Sequence, residues 1–204
     1  MQVSMWMTAE PYCVTADYRL DAVAAAMERG RFRQVPVVDD ARRLIGIVTA
    51  RDLRQHVGYW ESTKVSAAMT EPAIAVRPDD PIELAARILL ERKIGGLPVV
   101  DQERRVVGVL TTSDLLRGFL HGVGGAEYAA RIDFRFAGTG QSFAEAVRVV
   151  EAAGSAVLGL GTFDDTADSG QKFFVRVAAA GAERAADALR AAGFVVTALH
   201  APRP

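Results

Sequence analysis

Two short motifs in the chain place a hydroxyl three residues before a carboxylate. Residues 46–53 have the sequence Gly-Ile-Val-Thr-Ala-Arg-Asp-Leu, and residues 108–115 have the sequence Gly-Val-Leu-Thr-Thr-Ser-Asp-Leu. Each motif predicts a turn glycine, a short apolar strand, and a threonine and an aspartate where a helix begins. A hydroxyl can cap a helix or contact a phosphate, and a carboxylate can accept two hydrogen bonds from a ribose diol. The motifs therefore indicate a nucleotide site that occurs twice.

A purely structural role explains the same pattern. Thr49 with Asp52, and Thr111 with Asp114, fit the capping box, in which both side chains bind free N–H groups at a helix start. A single copy would favour this structural role. Because the pattern occurs twice, each time after a glycine-led strand, we favour ligand binding. The two roles are compatible, since a helix start that accepts a carboxylate also accepts a phosphate.

The two motifs belong to a longer internal duplication. Shifting the chain by 62 residues matches 15 of the 47 positions from residue 7 to residue 53 identically, and others, such as Leu20 to Ile82 and Ile47 to Val109, change conservatively. Such a period indicates a repeated structural unit. We expect the two repeats to have the same fold.

Each repeat predicts one amphipathic helix. The apolar positions at helical spacing are Leu20, Val23, Ala24 and Met27 in the first copy and Ile82, Ala85, Ala86 and Leu89 in the second. The predicted starts lie at Asp17 and at residues 80–81, and the predicted ends at Gly30 and at residues 95–96. One face of each helix should therefore be buried.

Strands are predicted around each helix. A short extended segment at Val14 or Val76 precedes it, and two strands follow, the second ending at Thr49 or Thr111. Arginine pairs occupy the hairpin turns between these strands, where exposure to solvent is favoured over contact with nucleic acid. The result is a β-α-β-β-α unit with one apolar sheet face. Two units can bury those faces against each other as a pseudo-twofold pair, which gives two quasi-equivalent sites in one cleft.

Composition excludes several functional classes. The chain has 204 residues, room for two domains, and a formal net charge of −1, so no basic field attracts nucleic acid or membrane. It lacks a signal-peptide pattern and an apolar run of about 18 residues, so we expect a cytoplasmic protein. The single Cys13 and the scattered His56, His121 and His200 predict no disulfide, metal site or prosthetic group. No nucleophile-base pair or Gly-x-x-x-x-Gly-Lys loop is recognisable, so we expect no enzyme and no catalytic residues.

The tandem motifs resemble a pair of CBS domains. The resemblance rests on the Met-Thr openings at residues 7–8 and 69–70, the apolar-Pro-Val-Val-Asp strands and the two Gly-to-Leu motifs. It covers residues 1–122, which we divide into repeat 1 (residues 1–60) and repeat 2 (residues 61–122). The resemblance implies that an adenosine compound, namely AMP, ADP, ATP or S-adenosylmethionine, binds as a regulatory ligand.

The resemblance also implies roles for individual residues. Its carboxylates hold the ribose, its threonines approach the phosphate, and the segment before the strand proline supplies a pocket wall. Arg51 and Ser113 lie inside the motifs and can also reach a phosphate. The candidate residues are Asp52 and Asp114 for ribose; Thr49, Thr111, Arg33, Arg51 and Ser113 for phosphate; and Val35, Pro36, Val48, Leu97, Pro98 and Leu110 for the adenine pocket. Repeat 2 has Gly95 in place of Arg33, so we expect unequal affinities.

A second domain is predicted beyond a glycine-rich linker at residues 123–128. Strand and helix patterns between residues 129 and 204 give the order β-α-β-β-α-β, which is the ferredoxin-like arrangement. The fold class is therefore α/β (α+β). The order resembles an ACT domain, and the resemblance implies either an amino-acid site at the turn of Gly138, Thr139 and Gly140 or a dimerisation role.

These observations predict a non-catalytic regulatory protein that binds an adenosine nucleotide between its repeats. We expect a homodimer that signals through its C-terminal domain to an unidentified regulated enzyme. The alternative is a dimerising scaffold or adaptor in which the motifs only cap helices.

Overall fold

The chain divides into two compact units, Met1–Arg117 and Gly118–Pro204. The computed structural model describes residues 1–122, 129–138, 140–164 and 171–201, so the predicted linker at residues 123–128 lies outside the described residues. No helix within these ranges is both long enough and apolar enough to cross a membrane.

The first unit repeats one set of elements. Its order is β1 (Thr8–Ala9), α1 (Leu20–Gly30), β2 (Gln34–Val38), β3 (Leu44–Thr49), α2 (Ala50–Gln55), α3 (Ile82–Arg92), β4 (Gly96–Val100), β5 (Val106–Thr111) and α4 (Thr112–Gly122), with 3-10 helices at Val3–Met5 and Val65–Ala67. β2 pairs antiparallel with β3, and β4 pairs antiparallel with β5 in the same register. The predicted duplication therefore has matching structural elements.

Helices α1 and α3 bury the apolar stripes expected from their spacing. Leu20, Val23 and Met27 are buried in α1, as are their counterparts in α3. Helix α1 ends at Gly30 as predicted, whereas α3 ends at Arg92, before the predicted residues 95–96. In both helices the residue that follows, Arg31 or Lys93, adopts the left-handed conformation. The start of α1 also lies later than predicted, at Leu20 instead of Asp17.

The predicted first strands at Val14 and Val76 are each reduced to a single bridging residue. Each residue forms one isolated parallel bridge, Val14 with Val37 and Val76 with Val99. Both residues are nevertheless buried in the core of their repeat. The extended segments therefore serve as packing contacts at the sheet edge.

The leading segments of the two repeats are exchanged. β1 of repeat 1 pairs with β5 of repeat 2, where Thr8 lies opposite Val109, and Thr70 of repeat 2 forms the equivalent bridge to Ile47. Val3 packs in the core of repeat 2 and Val65 in the core of repeat 1. A boundary at residue 60 therefore separates the two sequence repeats, but each structural core includes a leading segment from the other repeat.

The motif glycines allow this exchange. Gly46 was expected in a turn, but it lies within β3, where a Cβ atom would be 2.8 Å from Met69 Sδ and 3.1 Å from the Thr70 carbonyl oxygen. Gly108 has the same relation to Met7 and Thr8. Glycine is needed here because another backbone approaches the strand closely.

The hairpin turns join the repeats at a second place. The Leu44 N–H donates to the Arg104 carbonyl at 2.9 Å, and the Val106 N–H donates to the Arg42 carbonyl at 3.0 Å. A small apolar cluster that includes Leu44, Val106 and the half-buried Cys13 lies beside these bonds. The pseudo-twofold relation between the repeats therefore extends to their hairpins.

The second unit has the predicted β-α-β-β-α-β order. Its elements are β6 (Ala129–Arg135), α5 (Phe143–Ala152), β7 (Val157–Asp164), β8 (Gln171–Ala178), α6 (Ala182–Ala191) and β9 (Val195–His200). The antiparallel sheet has the order β7-β8-β6-β9. A core centred on the fully buried Phe134 joins the sheet to both helices. Ser142 caps α5 by accepting the Glu145 N–H.

Candidate functional site

Both motifs form the capping geometry at the end of a strand. Thr49 donates its backbone N–H and its hydroxyl to Asp52 Oδ2, at 2.8 and 2.7 Å. Thr111 makes the same two bonds to Asp114 Oδ2, at 2.9 and 2.6 Å. One oxygen of each carboxylate is therefore committed to its own helix start, and any ligand contact must use the other oxygen.

The second carboxylate oxygens differ between the repeats. Asp114 is only 6% exposed, and its Oδ1 lies 3.5 Å from Arg117 Nη1. Asp52 is half-buried, and its Oδ1 accepts no hydrogen bond from the part of the chain that the structure describes. Only Asp52 is among the residues that line the neighbouring cleft. The two equivalent motifs therefore differ in whether the carboxylate is accessible from the cleft.

A cleft of about 1310 Å³ lies between the repeats. Its lining consists largely of equivalent pairs from the two copies: Thr8 and Thr70, Tyr12 and Ile74, Arg31 and Lys93, Phe32 and Ile94, Arg33 and Gly95, Gln34 and Gly96, Ile47 and Val109, Thr49 and Thr111, Ala50 and Thr112, and Arg51 and Ser113. Typical small-molecule sites measure about 300 to 1,000 Å³, so this cleft has room for a nucleotide.

The structure brings the polar candidates together. All five predicted phosphate contacts, Thr49, Thr111, Arg33, Arg51 and Ser113, line this cleft with Asp52. Asp114 is buried and does not line the cleft. The Ala50 N–H donates to the Arg33 carbonyl at 2.8 Å, which holds the segment before β2 beside the start of α2. Residues distant in sequence therefore converge at one wall of the cleft.

The six apolar candidates lie elsewhere. Val35, Pro36, Val48, Leu97, Pro98 and Leu110 are buried, and none of them lines the cleft. Side chains alternate between the two faces of a strand. Val48 therefore points into the core of repeat 1, whereas its neighbour Ile47 faces the cleft. Ile47 and Val109, each one residue before a predicted residue, form the apolar wall of the cleft with Phe32 and Ile94.

Positive charge dominates the cleft. Its lining contains five cations, Arg31, Arg33, Arg51, Arg54 and Lys93, and one acidic residue, Asp52. The sequence prediction missed Arg31, Arg54 and Lys93. Arg31 and Lys93 reach the cleft because they end the helices, and no sequence signal marked a left-handed arginine or lysine. Such a surface favours an anionic ligand.

Gln34 occupies the boundary between the two halves of the cleft. Its Nε2 atom is buried and has no hydrogen-bond partner. An amide donor buried without a partner is unfavourable, so the site offers a hydrogen bond to a ligand. The family resemblance placed Gln34 in the pocket wall before the strand proline, but no sequence signal indicated its buried amide donor.

Two side chains near the cleft have perturbed acidities. Desolvation by burial and the neighbouring Tyr18 raise the pKa of Tyr12, whose ring lies 5.8 Å from that of Phe32. Burial also raises the pKa of the Cys13 thiol, and the charge of Arg42 opposes this effect. Both groups stay protonated at neutral pH, so neither adds negative charge to the cleft.

Metal-binding residues and the predicted amino-acid site were also compared with the structure. Within the described ranges no three His, Cys, Asp or Glu residues are grouped to hold a metal ion. Gly138 and Gly140 are exposed in the turn after β6, and Gly140 has a φ of +106°. Thr139 lies outside the described residues. The amino-acid site therefore remains a prediction.

Comparison with protein families identifies the fold of the first unit. The CBS domain model matches residues 3–59 and again residues 65–121. The chain therefore belongs to the CBS domain family and contains a tandem CBS pair.

Solved CBS pairs resemble the first part of the chain. The CBS pair of protein MJ0100, in complex with 5-methylthioadenosine and S-adenosyl-L-methionine, is 27% identical with a TM-score of 0.55, covering 58% of this chain and 95% of that one. CBSX2 in complex with AMP is 30% identical with a TM-score of 0.52, covering 58% and 96%. An acetoin utilization protein (AcuB) from Vibrio cholerae is 29% identical with a TM-score of 0.53, covering 59% and 90%.

Curated relatives differ widely in length. Homoserine O-acetyltransferase of Methanohalobium evestigatum is 34% identical over 98 residues, which are 48% of this chain but only 20% of that enzyme. A CBS domain-containing protein of Dictyostelium discoideum is 29% identical over 127 residues, covering 56% and 88%. The chain thus spans a fifth of an enzyme relative and most of a shorter relative.

Proposed function

We propose that this protein is a non-catalytic regulator that binds an adenosine nucleotide in the cleft between its CBS repeats. The observation that carries the proposal is the cleft itself, which combines the two threonine motifs, five cations and an apolar wall. Solved relatives in complex with AMP, and with 5-methylthioadenosine and S-adenosyl-L-methionine, support an adenosine ligand. No prosthetic group is part of the proposal.

The side chains suit the parts of such a ligand. The ribose hydroxyls donate to Asp52 Oδ1, and Asp114 has the equivalent role if Arg117 releases it. Phosphate oxygens accept hydrogen bonds from Thr49, Thr111 and Ser113 and pair with Arg33 and Arg51. Each charge-assisted hydrogen bond contributes about 1.5 to 3 kcal/mol. A few such bonds with adenine packing reach the roughly 8 kcal/mol of a micromolar site.

The adenine ring packs against the apolar wall of the cleft. Phe32 and Ile47, with Ile94 and Val109, offer the exposed apolar surface. The six apolar residues first expected in the pocket hold this wall from the core side. Their role is to position the strands, because they are buried before any ligand binds.

Calorimetric titration tests the nucleotide site. AMP, ADP, ATP and S-adenosylmethionine are titrated into the wild-type protein and into Asp52→Ala and Asp114→Ala. We expect binding at micromolar concentration by at least one compound and weaker binding by the variants. Absence of heat from all four compounds, or affinities unchanged in both variants, would contradict the proposal.

We further propose that the second unit is an ACT-like domain that forms a homodimer and transmits the ligand signal to a regulated enzyme. Its β-α-β-β-α-β order supports the resemblance. Edge strands β7 and β9 offer unpaired backbone groups for a second copy. Light scattering over a concentration range should give twice the monomer mass, and titration with amino acids tests the turn at Gly138 and Gly140.

One observation favours the alternative of a scaffold without a nucleotide site. Both motif carboxylates already accept bonds from their own threonines, which is sufficient to explain the motifs. Thermal unfolding separates the hypotheses. A midpoint that nucleotides leave unchanged, but that rises with protein concentration, supports the scaffold.

A further inference from the structure

The two halves of the cleft carry unequal charge. Aligned by the 62-residue offset, Arg33 corresponds to Gly95, Arg51 to Ser113 and Arg54 to Leu116, whereas only Arg31 has a cationic counterpart, Lys93. All four of these repeat 1 arginines line the cleft. Four of its five cations therefore come from repeat 1, although the backbones of the repeats match element by element.

The fold concentrates this charge at the end of β3. The Ala50 N–H bond to the Arg33 carbonyl places Arg33 beside the residue that precedes Arg51. In repeat 2 the equivalent bond joins the Thr112 N–H to the Gly95 carbonyl at 3.1 Å, with no cationic side chain on either residue. The same backbone contact thus holds a cationic residue in repeat 1 and an uncharged residue in repeat 2.

The carboxylates show the same asymmetry. Asp52 Oδ1 is available in the cleft, as described above, whereas Asp114 is buried and faces Arg117. The counterpart of Arg117 in repeat 1 is Gln55, which has no charge to pair with Asp52. The ribose acceptor of repeat 1 is therefore open, and that of repeat 2 is engaged.

Gln34 provides a further, independent sign of a ligand on the repeat 1 side. Gln34 lines the cleft, its Nε2 donor is buried against Gly96 without a partner, and Gly96 is its equivalent in repeat 2. A phosphate oxygen or a purine nitrogen would satisfy this donor. Repeat 2 has no side chain at that position to do the same.

We propose that the cleft holds a single nucleotide, on the repeat 1 side, and that this ligand is a nucleoside di- or triphosphate and not an uncharged nucleoside. This inference rests on the proposed adenosine site and specifies its occupancy and ligand class. Asp52 accepts the ribose, and Arg33, Arg51 and Arg54 surround the phosphate chain. Repeat 2 supplies the opposite wall.

The experiment compares adenosine, AMP, ADP and ATP by calorimetry on the full chain. The test variant is Arg33→Gly/Arg51→Ser, which gives repeat 1 the residues of repeat 2. The control is Arg43→Ser/Arg104→Gly, which removes the same two charges from exposed hairpin positions that do not line the cleft. Gly is compatible with position 104, where φ is +63°. Circular dichroism checks that each variant is folded.

We expect one ATP per chain and an affinity that rises from adenosine to ATP. The test variant should lose about tenfold or more in ATP affinity because it loses charge-assisted bonds, while its adenosine affinity changes little. The control should bind ATP as the wild type does. Two equivalents per chain, affinity independent of phosphate number, or equal losses in both variants overturn the inference and leave the adenosine site standing. Absence of binding by all four compounds overturns both.

Discussion

Gln34 lies directly over Gly96, its counterpart in the other repeat. A Cβ atom at Gly96 would be 2.0 Å from Gln34 Nε2, so the amide occupies space that only glycine leaves open. The pseudo-twofold pair is therefore asymmetric at its centre. The long Gln34 side chain of repeat 1 fits only because repeat 2 has a glycine at the equivalent position.

Replacing this glycine should affect the ligand more than the fold. Gly96→Ala must displace the end of a flexible side chain, so we expect a loss of about 1 kcal/mol or less in the free energy of unfolding. ATP affinity should fall roughly tenfold, since the Gln34 donor moves. Urea denaturation and calorimetry measure the two effects. Gly95→Ala is the control, because its Cβ would meet nothing within 4 Å. Equal effects of the two variants would refute the role of Gln34.

The motif glycines should be more sensitive to substitution. In Gly46→Ala the new Cβ meets the Met69 side chain and the Thr70 backbone, which cannot move away without breaking the bridge to Ile47. Overpacking of this kind costs about 1 to 3 kcal/mol. Urea denaturation should show this loss in Gly46→Ala and in Gly108→Ala. Gly138→Ala, where a Cβ has open space, should be nearly neutral. A neutral Gly46→Ala would contradict the close approach.

The segment exchange predicts effects that cross from one repeat to the other. Val3→Ala leaves a cavity in the core of repeat 2, and Val65→Ala leaves one in repeat 1. We expect each to lower the free energy of unfolding by about 1 to 3 kcal/mol. Hydrogen exchange should show the greater loss of amide protection in β4 and β5 for Val3→Ala, and in β2 and β3 for Val65→Ala. The reverse distribution would mean that each segment packs with its own repeat.

Cys13 should react slowly with alkylating reagents at neutral pH. Burial raises the pKa of its thiol, so less of the reactive thiolate is present than in the unfolded chain. Iodoacetamide modification, followed by mass spectrometry from about pH 7 to pH 10, should show a midpoint above that of the same protein in urea. Arg42→Ala should move the midpoint further upward, because the arginine charge favours the thiolate. A midpoint equal to that of the unfolded chain would show that the thiol is solvated.

Much of this fold is predictable from the sequence because the repeats confirm each other. Helical spacing from Leu20 to Met27 recurs with the same phase at Ile82 to Leu89, and the apolar strands recur in register. The second unit has no duplicate, but its capping box and period-two strands define the same element order that the structure shows. Residue spacing was therefore sufficient to predict the type and order of these helices and strands.

The exchange of leading segments could not be predicted in the same way. Both segments have the same Val-x-x-x-Met-Thr pattern, so nothing in the residues distinguishes which strand each one joins. The six apolar residues remain a prediction for the adenine pocket. Their burial could not be foreseen, because a shift of one position along a strand reverses the face to which every side chain points. The contact of Asp114 Oδ1 with Arg117, one turn further along α4, involves a residue outside the motif and could not be read from the motif itself.

The crossing of Val3 and Val65 bears on how such a chain could have arisen. A polypeptide with only one copy of the repeat would have no second sheet edge to receive its own leading segment. Two such polypeptides would have to trade segments reciprocally, as in a domain-swapped dimer. Fusion of the two copies turns that intermolecular trade into an intramolecular one. Each copy is then free to diverge, so that one wall of the cleft can acquire arginines while the other loses them.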